Sequence, residues 1–184
     1  MPFAAILDAS VLYPLPLRDT LLRVAEIELY DPYWSERILA EVTRNLILDR
    51  RATEEQASNL TNAMRSAFDS ATVPEDAIAQ LESAMANDPK DRHVLAAAVA
   101  SDAQAVVTFN LKHFPNAACE PLAIEPLHPD NFLLDLYSLD SDGVLAVLER
   151  QAAALTRPPM TINDLLHRLA ATVPSFAQAL RAHS

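Results

Sequence analysis

Short apolar runs alternate with longer segments of helical periodicity through the first two thirds of the chain. Three apolar runs bounded by polar residues predict buried strands, at 3–7, 104–109 and 122–127. Apolar positions at helical spacing predict helices over 18–30, 35–50, 53–70, 74–86 and 88–102. Residues 30–34 predict a turn or short strand, because Pro32 cannot continue a helix. This alternation predicts an α/β fold: a three-layer α/β/α arrangement around a central parallel sheet.

Beyond Pro129 only helical patterns follow. They cover 130–139, 142–155 and 162–173, and are interrupted by Gly143 and by the Pro-rich segment 157–160. The chain has 184 residues, enough for one compact domain and a small appendage. We therefore expect one domain over residues 1–128 and a helical C-terminal extension over 129–184.

Local signals mark three helix starts. Ser35 is a typical N-cap, the sequence from Thr53 to Gln56 is a capping box, and Asp88 before Pro89 is a third N-cap.

Polar side chains follow two predicted strands at their carboxyl ends, the edge where parallel sheets bind ligands. Asp8 follows the first strand, and the second strand ends in Thr108, Phe109 and Asn110. At 100° per residue, Asp91 heads the apolar face of its helix, and Glu41 borders the apolar face of another. Each acid also has an ordinary interpretation: Asp8 as a turn cap, Asp91 as a partner of free helix NH groups, and Glu41 as a solvated side chain.

Three carboxylates at one rim repel each other unless they are protonated, paired or bound to a cation. Oxygen ligands without Cys or His suit Mg²⁺ or Mn²⁺. We therefore expect a divalent cation at this edge.

Composition narrows the classes of function. A net charge of −11 disfavours nucleic-acid binding through a broad basic surface, and a single glycine excludes a P-loop and a GxGxxG turn. A single cysteine excludes a disulfide framework. The longest apolar run, 94–100, is too short to span a membrane, and the N-terminus does not resemble a signal peptide, so we expect a cytoplasmic protein.

Two other classes begin with a strand ending in Asp. A phosphotransferase of the haloacid dehalogenase type needs a second Asp two positions later, where this chain has Ser10. A response-regulator receiver needs an acidic pair at the first strand and a later phosphoryl-accepting Asp, and neither is evident in this sequence.

Four segments in order, at 6–14, 34–46, 87–99 and 106–115, resemble the PIN domain, specifically the VapC-type toxin ribonucleases of bacterial toxin-antitoxin pairs. The resemblance implies a PIN-like fold and an acidic cleft for divalent metal. By position, Asp8, Glu41 and Asp91 correspond to the family's acids, and Asn110 stands where the family often has another Asp. The C-terminal helices resemble the appended region of a VapC subgroup.

The resemblance also implies a function. We expect a Mg²⁺- or Mn²⁺-dependent endoribonuclease whose metal is held by Asp8 and Asp91, with Glu41 and Asn110 completing or orienting its ligand shell. Ser10 and Thr108 are expected to position water or phosphate. Expected partners are RNA, a VapB-type antitoxin and a second copy of the chain, with no membrane. The alternative is a non-catalytic PIN-like scaffold that binds RNA or protein, which the neutral Asn110 favours.

Several basic side chains lie on elements near the expected rim. These cations are candidates to hold the RNA backbone, although we expect most of them to be ordinary surface residues: Arg18, Arg44, Lys90, Arg92 and Lys112. Two histidines are expected to stay outside the chemistry. His93 should face away from Asp91 on the same helix, and His113 should be a loop residue.

Overall fold

The computed structural model describes residues 3–183 and contains a four-stranded parallel sheet. Its strands are β1 (Ala4–Leu7), β2 (Asp31–Tyr33), β3 (Ala105–Val107) and β4 (Glu125–Leu127), in the order β2-β1-β3-β4. Ile6 of β1 pairs with Tyr33 on one side and with Val106 on the other. The carboxyl ends of β1 and β3 are therefore neighbours at the centre of the sheet.

Helices flank the sheet, which confirms the predicted α/β fold with a central parallel sheet. Between β1 and β4 they are α1 (Ala9–Leu12), α2 (Leu15–Glu26), α3 (Glu36–Leu48), α4 (Glu54–Ala67), α5 (Glu75–Glu82), α6 (Arg92–Ala100) and α7 (Asn116–Cys119). After β4 they are α8 (Pro129–Leu139), α9 (Ser141–Ala154), α10 (Ile162–Leu169) and α11 (Pro174–His183). Three short 3₁₀ turns lie at Pro89–Asp91, Leu111–His113 and Glu120–Leu122.

The predicted helix caps are confirmed. Ser35 Oγ accepts a hydrogen bond from the Ile38 amide at 3.1 Å. Thr53 and Gln56 form both bonds of the capping box. The Asp88 carboxylate accepts from the Lys90 amide at 3.0 Å, but the cap opens a 3₁₀ turn rather than an α-helix.

Some predicted boundaries are wrong for local backbone reasons. The helix expected over 18–30 begins at Leu15, because the first turn of a helix tolerates proline, and it ends before Glu28, whose φ is 61°. The helix expected over 88–102 begins at Arg92, because Asp91 has φ −113° and ψ 11°. The last strand starts only at Glu125, after Ala123 in the left-handed region. Helix α11 was not predicted as a separate element.

The C-terminal helices share one continuous cluster of buried apolar residues with the sheet region. Phe132 of α8 packs edge-on against Tyr30, with ring centroids 4.9 Å apart. The Thr20 hydroxyl of α2 donates to Oε1 of Gln151 in α9 at 2.8 Å. None of the helices that the structure describes is both long and apolar enough to cross a membrane.

Candidate active site

Asp8 directly follows β1 and has three hydrogen-bond donors around its carboxylate. Oδ1 accepts from the Ala9 amide at 2.8 Å, while Oδ2 accepts from the hydroxyls of Ser10 at 2.8 Å and Thr108 at 2.7 Å. Asp8 is 4% exposed and is the N-cap of α1, so the capping interpretation also describes it correctly. Donors to both oxygens fix the orientation of the carboxylate.

Ser10 and Thr108 connect the ends of β1 and β3 around Asp8. Their hydroxyl oxygens are 3.4 Å apart, and they accept from the backbone amides of Phe109 at 3.2 Å and Asn110 at 3.0 Å, respectively. Thr108 is fully buried, so its hydroxyl lies behind the carboxylate that it contacts. In this structure both hydroxyls donate to the Asp8 carboxylate and orient it, and their expected role in positioning water or phosphate stays a prediction.

Asp91 ends the 3₁₀ turn before α6, and His113 contacts it from a separate turn. Asp91 Oδ2 lies 2.7 Å from His113 Nδ1. The His113 carbonyl also accepts from the Asp88 amide at 3.2 Å, so the two turns are joined by backbone and side chain. Because the carboxylate is the acceptor, the proton of this bond lies on Nδ1.

His113 is thus more than the loop residue that the sequence predicts, because its ring contacts Asp91. It lies 22 positions from Asp91 in sequence, and no periodicity relates the two. The local signal is the 3₁₀ turn in which its amide donates to the Asn110 carbonyl at 2.8 Å, which places it beside another site residue.

Glu41 lies half-buried on α3. Burial raises the pKa of its carboxyl, and the charges of Asp8 and Asp91 raise it further, while Arg44 acts in the opposite direction. Glu41 makes no side-chain hydrogen bond to any residue within 3–183. The site therefore holds negative charge that the described residues do not fully compensate.

These acids line one cavity of about 310 Å³, here called the acidic pocket. It brings together four of the predicted site residues that carry acid or amide groups, Asp8, Glu41, Asp91 and Asn110, with Ser10 at its wall. The remaining lining residues are Ala9, Tyr13, Asn45 and Asp49. Thr108 is not among the lining residues, consistent with its burial behind Asp8.

A second cavity, of about 560 Å³, shares Glu41, Asp91 and Asn110 with the first. Its other lining residues are Arg37, Ala40, Arg44, Lys90, His93 and His113, and we call it the basic pocket. His93, expected to face away from Asp91, instead shares this wall with it. Burial, with a further contribution from Arg37, lowers the pKa of the His93 imidazole.

Arg18 does not belong to the rim, so that prediction is wrong. It is 6% exposed, and its guanidinium donates to the carbonyls of Leu12 at 2.8 Å and Tyr13 at 3.2 Å. These carbonyls lie at the end of α1, where helix carbonyls lack partners. Arg18 is therefore a structural cation that stabilises the α1–α2 turn.

The residues of the acidic pocket fit a divalent cation in chemistry and in charge. Their donors are carboxylate and amide oxygens, the ligands that Mg²⁺ and Mn²⁺ prefer, and burial together with the charges of Asp8 and Asp91 raises the pKa of Glu41. Within residues 3–183, no three Asp, Glu, His or Cys side chains are arranged to hold a metal ion by themselves.

Two family descriptions match this chain. The family described as "PIN domain" matches residues 4–112, more than half of the chain, and the chain belongs to the PIN-domain family. This span contains Asp8, Glu41, Asp91 and Asn110. A second family, described as "VapC50 C-terminal domain", matches residues 129–182, which correspond to α8–α11.

The chain is also similar to a curated protein of Mycobacterium tuberculosis (strain ATCC 25618 / H37Rv) named "Putative ribonuclease VapC50". The two are 48% identical over 101 residues, which cover 55% of this chain and 60% of the relative. The match thus spans less than two thirds of the relative's length. The search of solved structures found no match.

Proposed function

We propose that this protein is a metal-dependent endoribonuclease that hydrolyses RNA phosphodiester bonds. The observation that carries the proposal is the acidic pocket, where Asp8, Glu41 and Asp91 meet Asn110 and where burial, with the charges of Asp8 and Asp91, raises the pKa of Glu41. The PIN-domain match covers all four residues, and the similar protein is named as a ribonuclease.

In this proposal, Asp8 and Asp91 hold Mg²⁺ or Mn²⁺, with Asn110 as a neutral ligand. A bound divalent ion offsets negative charge at the phosphate and lowers the pKa of water. Ser10 and Thr108 keep the Asp8 carboxylate oriented, and His113 occupies one oxygen of Asp91, leaving Oδ1 available.

Glu41 orients the attacking water and accepts its proton, because a carboxylate with a raised pKa is a stronger base. Water attacks phosphorus as the P–O3′ bond breaks, and the released O3′ takes up a proton from solvent, which leaves a 5′-phosphate and a 3′-hydroxyl.

The partners follow from the same proposal. The protein acts as the toxin of a VapBC-type pair, and a VapB-type antitoxin blocks the acidic pocket with a basic side chain such as Arg. Two copies pair through an exposed apolar helix face of the C-terminal region, where Leu139 is 73% exposed.

The test is cleavage of several structured RNAs by purified protein with Mg²⁺ or Mn²⁺, compared with EDTA. Asp91→Asn should abolish cleavage, because it removes the charge while keeping the side-chain shape. Asp135→Asn, on the exposed side of α8, makes the same charge change away from the pocket and should cleave like wild type. Product ends should be 5′-phosphate and 3′-hydroxyl.

Cleavage that Asp91→Asn retains would indicate a contaminant. If wild type cuts no RNA and binds no metal, the scaffold alternative becomes the better account. Asn110 favours that alternative, since it leaves the site with one formal charge fewer than an Asp would provide.

A further inference from the structure

We propose that the basic pocket is a phosphate-binding subsite for the RNA strand, next to the acidic pocket where the strand is cut. The inference rests on the ribonuclease function proposed above and adds the location of a neighbouring phosphate. The two pockets share Glu41, Asp91 and Asn110, so a single strand can occupy both. The residues that line only one of the two pockets differ in charge.

The charge difference is carried by the residues that the pockets do not share. The acidic pocket adds Asp8 and Asp49, and no Lys or Arg is among the described residues that line it. The basic pocket adds Arg37, Arg44 and Lys90. In a chain of net charge −11, three cations around one cavity beside an acidic cluster are complementary to a polyanion.

Two of these cations are available for a ligand. Arg37 is paired, with its guanidinium 2.7 Å from both Glu75 and Glu82. Arg44 and Lys90 are exposed, and neither side chain forms a hydrogen bond or salt bridge with another residue in 3–183. They come from different elements, α3 and the 3₁₀ turn before α6, so the fold brings them to one cavity.

The inner wall of the basic pocket supplies an independent observation. His93 is only 9% exposed, and its Nδ1 has no hydrogen-bond partner among the described residues. Buried polar side-chain atoms are normally paired, and an unpaired one calls for an explanation such as a bound water or ion. A phosphate in this pocket meets two exposed cations that have no hydrogen-bond or salt-bridge partner among the described residues, and a polar wall behind them.

The test combines protein variants with single neutral linkages in the substrate. One methylphosphonate linkage is moved along an RNA that carries the mapped cleavage site, and kcat/KM is measured for each position. Wild type should lose about tenfold at one linkage flanking the cut, because one charge-assisted contact is removed. For Arg44→Ala/Lys90→Ala, kcat/KM on the unmodified RNA should be about tenfold lower than for wild type. Neutralising that linkage should not lower it further, because the contact is already absent.

Two control variants separate this subsite from general electrostatics. Arg44→Lys/Lys90→Arg keeps both charges, so its kcat/KM should again fall at the one neutral linkage, as it does for wild type. Arg150→Ala/Arg181→Ala removes two exposed cations from the C-terminal helices and should behave as wild type. Equal losses at every linkage in wild type and Arg44→Ala/Lys90→Ala would overturn the subsite.

Binding of the same RNAs, followed by fluorescence anisotropy with EDTA present, separates the two hypotheses. A protein that binds with the linkage-specific loss but never cuts refutes the nuclease and supports the subsite. If the protein cuts RNA but the effect of a neutral linkage does not depend on Arg44 and Lys90, the subsite is refuted and the nuclease is not. A protein that neither cuts nor shows the linkage-specific binding loss refutes both.

Discussion

At the scale of single residues, the acidic pocket is organised by the partners of its carboxylates. Asp8 is fixed by an amide and two hydroxyls, Asp91 by His113, and Glu41 by no hydrogen bond in the described chain. Asp8 and Asp91 are thus held in place, while Glu41 has no such partner among the described residues and its pKa is raised by burial and by the charges of the other two. Carboxylates with shifted pKa values are common in functional sites and often lower the stability of the protein.

The sequence predicted the acids but not their partners. Asp8 and Asn110 were found because they follow strands, and Asp91 and Glu41 because of their helical phase. His113 was missed because its contact depends on how two turns meet in space. Arg18 was misplaced because its exposure depends on the α1–α2 turn, which the sequence pattern did not show.

The raised pKa of Glu41 predicts a pH-dependent stability. Above the ordinary value of 4.5 the unfolded carboxyl ionises more readily than the folded one, so stability is lost as pH rises through the folded pKa. In EDTA at pH 7, Glu41→Gln should therefore melt at a higher temperature than wild type. Below pH 4.5 the difference should disappear.

Thermal melts at a series of pH values, followed by circular dichroism, measure this effect. Adding Mn²⁺ at pH 7 should raise the melting temperature of wild type more than that of Glu41→Gln. A Glu41→Gln protein that is less stable than wild type at neutral pH would contradict the account of uncompensated charge.

The His113 contact predicts a change in metal dependence. His113→Leu removes the donor to Asp91 and should raise the Mn²⁺ concentration for half-maximal cleavage about tenfold, the usual effect of losing such a supporting hydrogen bond. His113→Asn keeps a donor near the position of Nδ1, so its Mn²⁺ concentration for half-maximal cleavage should be close to that of wild type. Calorimetric Mn²⁺ titrations provide a readout independent of cleavage, and equal affinities for all three proteins would rule out this role.

At the scale of elements, the helix ends were the most predictable features where a cap is local in sequence. Ser35 and Thr53 cap helices that begin at the next residue, so a short window contains the whole interaction. Helix α11 has a remote partner instead. Asp130 of α8 accepts hydrogen bonds from the amides of Ser175 at 3.1 Å and Phe176 at 2.8 Å.

Asp130 should therefore be a key stabilising residue of the C-terminal region. It is 7% exposed, and Asp130→Ala leaves two amides at the start of α11 without their acceptor, which should cost about 2 kcal/mol of unfolding free energy. Asp135→Ala, an exposed position on the same helix, should change the stability by less than about 0.5 kcal/mol. Urea unfolding measures both, and equal stabilities would show that the remote cap contributes little.

At the scale of the whole molecule, the C-terminal helices are packed as part of one core. The sequence predicted a boundary after residue 128, and the family matches at 4–112 and 129–182 lie on either side of it. The buried cluster nevertheless runs across it, with Phe132 against Tyr30 and Gln151 against Thr20. Periodicity predicts which residues are apolar, but it does not show which elements they pack against.

A shared core predicts a single cooperative unfolding transition. Trp34, the only tryptophan in the sequence, is fully buried beside the sheet and reports on the first region by its fluorescence. Circular dichroism at a helical wavelength reports on both regions. The two urea transitions should coincide, whereas helical signal lost well before Trp34 becomes exposed would mean that α8–α11 unfold separately.

The proposed function requires the acidic pocket to be the metal-dependent centre of RNA cleavage. Its most direct test is one cleavage assay with Mg²⁺ or Mn²⁺ on wild type, Asp8→Asn and Asp135→Asn. The account predicts that wild type and Asp135→Asn cut, that EDTA stops them and renewed metal restores them, and that Asp8→Asn loses at least about a hundredfold in rate. Cleavage by Asp8→Asn at the wild-type rate, or cleavage that persists in EDTA, would contradict it.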